Sequence, residues 1–126
     1  MKLPTRISLV AVLLASGVSA QAACVYPQAP QDLPNGATSA KDQMLAAQGS
    51  VKEYSKAVQE TYLSCLEQEK NAAIAALDPA DAEYAQKKTA IEVLQAKKHN
   101  AALDELTALA TRWSEEIKAF TAAQKK

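Results

Sequence analysis

The 126 residues carry 14 basic and 14 acidic side chains, so the chain has no net charge and no strong pull towards nucleic acid or an anionic membrane surface. With three glycines and 5% aromatic residues in an Ala-, Gln-, Lys- and Glu-rich background, it is composed for long helices rather than for a sheet. A single histidine, His99, leaves too few parts for a histidine-based metal site or a Ser-His-Asp triad.

Residues 1–23 read as a secretory signal peptide. Lys2 and Arg6 form a basic n-region, Ile7 to Val18 an uncharged apolar core, and small residues up to Ala23 a cleavage region. The apolar run is shorter than the roughly 20 residues that a spanning helix needs, so cleavage is expected and no stable membrane insertion should follow it. The destination is the periplasm or the exterior of a bacterial cell. A lipoprotein anchored at Cys24 is the alternative, and Gln21 at the third position before the cysteine argues against it. Loss of Lys2 and Arg6 with the leader gives a net charge of −2.

Residues 24–38 hold Pro27, Pro30 and Pro34, then Asn35-Gly36. This density of proline predicts an extended strap ending in a turn. The first helix is expected over residues 39–77, with Ser39 as N-cap and Asp42 in its first turn. Its apolar stripe reads Met44, Val51, Val58, Cys65, interleaved with Ala47, Tyr54 and Thr61, and drifts to Leu66, Ile74 and Leu77. Gly49 adjoins this stripe and would permit close approach.

Asp78-Pro79 should end that helix and start a second over residues 79–123, within a helical region running to residue 126. Asp78 would be the N-cap and Pro79 the first helical residue. The second stripe reads Leu103, Leu106, Ala110, Trp113, Ile117 and Phe120, with Ala96 and His99 one heptad earlier and Ile91 and Leu94 towards the tip. A short link predicts an all-α fold, a long antiparallel two-helix hairpin of coiled-coil type. In a tight turn, facing residue numbers sum to about 157, which places Met44 by Trp113, Ala47 by Ala110, Val51 by Leu106, Tyr54 by Leu103 and Val58 by His99.

Two cysteines in an exported chain predict one disulfide, Cys24 to Cys65. Length permits it: the strap spans about 46 Å if polyproline-like, and Ser39 to Cys65 rises about 39 Å along a helix. Tyr54 and Tyr62 lie on its path and could stack on Pro27 and Pro30. Adjacent acids such as Asp104/Glu105 and Glu115/Glu116 point to different sides of a helix and make no close acid–base pair. Glu83/Lys87, Lys88/Glu92 and Arg112/Glu116 are instead spaced as solvated ion pairs. No cofactor motif occurs. The expectation is a non-enzymatic binding protein with a protein partner, or alternatively a self-associating helical bundle. Leu63, Val93 and Leu109, which lie off both stripes, are the candidate partner-facing residues.

Overall fold

A computed structural model describes residues 23–125; the expected leader, apart from Ala23, lies outside the described residues. Of these residues, 73% are helical, none forms a strand, and one disulfide joins Cys24 to Cys65 with their Cα atoms 5.8 Å apart. The first helical rod comprises α1 (Lys41–Lys56), a π-helical segment (Ala57–Tyr62) and α2 (Leu63–Ala75), with helical backbone across both junctions. The second is α3 (Tyr84–Ala123).

Both helix starts fall later than the sequence suggests, for local reasons. The Ser39 N–H donates to the Asn35 carbonyl at 2.9 Å, closing the turn that ends the strap, so Ala40 becomes the N-cap of α1. Its exposed N–H is taken by the Gln43 side chain at 2.9 Å. At the far end, Asp78 Oδ1 accepts the Ala80 N–H at 2.9 Å, and Asp81 Oδ1 accepts the Glu83 N–H at 2.8 Å. Each aspartate thus closes a turn of its own, in competition with helix geometry. Residues 79–83 consequently stay outside the helix, and α3 begins at Tyr84.

The core lies between the two rods. Met44, Val51, Tyr54, Val58, Tyr62 and Leu66 are buried from the first rod, and Ala102, Leu109 and Trp113 from the second. On the first rod the expected stripe holds as far as Val58 and then changes phase. Thr61 is exposed, and Tyr62 and Leu66 take the inward positions instead. The π segment explains the switch, because its wider turn takes up about one extra residue. Intervals of four residues (58, 62, 66) then stay on one face.

On α3 the expected stripe is displaced around the helix. Leu103 is 37% exposed, Ile117 40% and Leu94 53%, while Ala96, Ala110 and His99 also face outward. The inward row is Gln95, Ala102, Leu109 and Trp113, with Leu106 and Phe120 packed partly against it. His99 therefore has no packing role opposite Val58. The register differs as well. Trp113 shares a groove with Gln48, Gly49, Val51 and Lys52, and His99 shares one with Leu63, Leu66 and Glu67. Facing positions on α3 lie about one heptad later than a tight-turn register gives, since the eight-residue link over 76–83 is not a tight turn. Gly49 is exposed and permits no close approach, for a Cβ there would meet nothing within 4 Å.

Candidate functional site: an open groove opposite the strap

Two helices side by side leave a groove on each side of their contact. The strap fills one of them. Cys24, Tyr26, Ala29 and Leu33 pack against the core. Pro27 and Pro30 share a shallow recess with Tyr54, and a further aromatic contact comes from Tyr26. Its ring stands edge-on to Tyr62 at 4.9 Å, and its hydroxyl shares a hydrogen bond of 2.5 Å with that of Tyr54. Burial, then this bond, raises the Tyr26 phenol above its ordinary range, with Glu105 adding to the shift.

Farther along, Gly36 fits against α3, where a Cβ would overlap the Glu116 carbonyl, and its N–H donates to Glu116 Oε2 at 2.6 Å. Arg112 donates to the Gln31 carbonyl at 3.4 Å. Arg112 and Glu116, expected as an ion pair along the helix, hold the strap instead. Glu83–Lys87 and Lys88–Glu92 are paired at 3.2 and 3.9 Å.

Beside the disulfide sits a polar cluster. Glu69 Oε1 accepts hydrogen bonds from Lys98 at 2.7 Å and Gln95 at 3.0 Å. The Lys98 bond first, and the Gln95 bond second, hold the Glu69 carboxyl below the usual carboxylate range, against a smaller opposing effect of burial. The cluster satisfies the amide nitrogen of the buried Gln95, while Gln95 Oε1 and Glu69 Oε2 are buried without a partner, which costs stability.

The opposite groove has no strap. It is lined on the first rod by Ser55, Gln59, Leu63 and Glu67, and on α3 by Glu92, Ala96, His99, Thr107, Ala110 and Ser114, among others. It holds two shallow recesses of about 380 and 570 Å³. Helical geometry explains the opposition of the two grooves. Residues two apart lie about 200° apart around a helix. The strap meets Cys65, Glu105 and Arg112, and the open side carries Leu63, Glu67, Leu103, Ala110 and Ser114, each two residues away.

No protein-family model, curated protein or solved structure matches this chain.

Along the open side α3 carries a second heptad seam. One set of positions is Ala96, Leu103, Ala110 and Ile117; the other is Val93, Asn100, Thr107, Ser114 and Thr121. Every one of these residues is exposed and uncharged, although charged residues are frequent between them. The sequence expectations for partner-facing residues divide accordingly. Val93 is 60% exposed on this seam, and Leu63 lies half-buried in the groove. Leu109 is the correction: it is 3% exposed and belongs to the core, having been displaced inward when the stripe changed phase. Leu103 and Ile117 take its place on the surface. The signal that could have found them is the uninterrupted uncharged heptad from Val93 to Thr121, beside a core row broken by Gln95.

Among the described residues, no three His, Cys, Asp or Glu side chains cluster so as to hold a metal ion, and no helix is long and apolar enough to cross a membrane. His99 opens onto the groove with Glu67, Lys70 and Glu92. Shallow walls of small and aliphatic side chains suit another protein's side chains better than a small molecule, which calls for a deeper enclosure.

Proposed function

We propose that the protein is a small exported binding module without enzymatic activity: an antiparallel, coiled-coil-like hairpin, stiffened on one side by its strap, that offers the opposite groove to another protein. The antiparallel reading is supported by cross-contacts at both ends. Leu66 and Lys70 share a groove with Glu92 and Gln95 near the link, while Gln48 and Lys52 meet Trp113 far from it. Export is supported by the leader pattern and by a disulfide that would not persist in a reducing compartment. That bond also occupies the Cys24 sulfur that acylation would require.

The observation that carries the functional reading is the asymmetry of the grooves: one is sealed by strap and disulfide, and the other is lined by an uncharged heptad seam. Exposed apolar side chains in a contiguous row mark contact surfaces. A photoreactive residue at Ala110 should crosslink to protein in intact cells, and one at Lys56, on the charged outer face of α1, should not. Equal crosslinking from both positions, or none from Ala110, would remove the groove from the function. N-terminal sequencing of the exported protein should find a start between Gln21 and Cys24.

A further inference from the structure

We infer that the open groove receives a second copy of this chain, with the two α3 helices parallel and in register. The inference rests on the reading of this groove as a binding face and names its occupant. Helix α3 has two seams, one used against its own first rod and one free. Assigning Val93, Asn100, Thr107, Ser114 and Thr121 to a positions and Ala96, Leu103, Ala110 and Ile117 to d positions makes the free seam a regular heptad. Val93, Thr107 and Thr121 at a, Leu103 at d and the single Asn100 at a match features of parallel two-stranded coils, where the asparagine fixes register.

Charge selects the orientation. In the parallel pair each g residue meets the following e residue of the second copy. Glu92 then faces Lys97 of the second copy, and His99 faces its Asp104; the remaining pairs, Leu106 with Thr111 and Trp113 with Lys118, contain no like charges. The two antiparallel registers that keep the whole seam overlapped set Lys97 against Lys118 or Asp104 against Asp104. Both are repulsive, so the parallel arrangement is the one without conflict.

Area sets the strength. From Val93 to Thr121 the seam is about 42 Å long. A contact about 10 Å wide, counted on both copies, removes roughly 800 Å² from water, below the 1,200–2,000 Å² of standard stable interfaces. The dimer is therefore weak, with a Kd above about 1 μM, and forms at high local concentration.

Sedimentation velocity on the mature, disulfide-bonded protein, from about 10 μM to 1 mM to bracket that range, should show a monomer–dimer equilibrium. Leu103→Glu with Ile117→Glu should abolish the dimer, while circular dichroism verifies unchanged helix content. Glu92→Lys and Lys97→Glu should each weaken it several-fold at low salt, and the two together should restore it. A monomer at every concentration overturns the inference, as does a charge swap that restores nothing. If that monomer still crosslinks to another protein through Ala110, the dimer fails while the binding face stands; if Ala110 captures nothing, both fail.

Discussion

The two grooves of this molecule face the same problem with different resources. Each is the flank of a two-helix contact, and two helices bury too little surface to be secure alone. On one side an irregular segment with three prolines, two tyrosine contacts and a covalent bond supplies a third layer. On the other nothing from the described chain does so, and the helix presents uncharged residues at coiled-coil spacing. Closure therefore does not follow from hydrophobicity, since the strap's side of α3 carries Glu105, Arg112 and Glu116. Arg112 and Glu116 clasp strap backbone, at the Gln31 carbonyl and the Gly36 N–H, and Glu105 meets the Tyr26 side chain. The apolar residues stand on the side left open.

The sealed side depends most on the disulfide. Cys24→Ser with Cys65→Ser removes a link of sequence separation 41 and should cost about 4 kcal/mol by loop entropy. Chemical denaturation should give a lower midpoint, with most of the helical circular dichroism retained at low denaturant. Next come the two seams of α3. Leu109→Ala should cost about 2–4 kcal/mol as a core truncation, and Leu103→Ala on the free seam less than about 1 kcal/mol in the dilute monomer. Similar midpoints for the two would erase the distinction between the seams.

Glycines sharpen the contrast further. Gly36→Ala must push the strap off the Glu116 carbonyl and should cost about 1–3 kcal/mol, the scale of overpacking. Gly49→Ala meets open space on a helix and should stabilise by about 0.5–1 kcal/mol. The smallest effect concerns acid. The Glu69 carboxyl titrates lower in the folded protein than its ordinary value of 4.5. Its stabilising contribution is therefore complete above that value and is lost as pH falls through the lower folded pKa. Thermal melts below pH 4.5 should show this loss in the natural protein and a flatter profile in Glu69→Gln.

Much of this was legible in the residues. The two long helices follow from composition and from prolines that, after the leader, are confined to the strap and link, and the Cys24–Cys65 bond from strap length measured against helix rise. What misled was phase. Gln95 points inward with Glu69 as the partner of its amide nitrogen, and Glu116 points at the strap, where it takes the Gly36 N–H. A reading that looks for apolar residues passes over them and settles on the neighbouring row of Leu103, Ala110 and Ile117. The start of α3 was missed because Asp78 and Asp81 have two uses, capping a helix or closing a turn, and spacing alone does not choose between them. The partner-facing residues were hardest to place, since the free seam and the true core of α3 are both heptads.

The π segment between Ala57 and Tyr62 has a mechanical consequence. It acts as a vernier within the first rod: upstream, Tyr54 is aimed at Tyr26, and downstream Cys65 is aimed at Cys24, two residues earlier in the strap. Deleting Gln59 or Glu60 would let the segment relax to an ordinary helix, and every residue before it would rotate by about 100° relative to those after it. Tyr26 and Cys24 could then no longer both reach their targets. The wide turn thus sets the angle between a covalent bond at one end and the Tyr26–Tyr54 hydroxyl contact at the other.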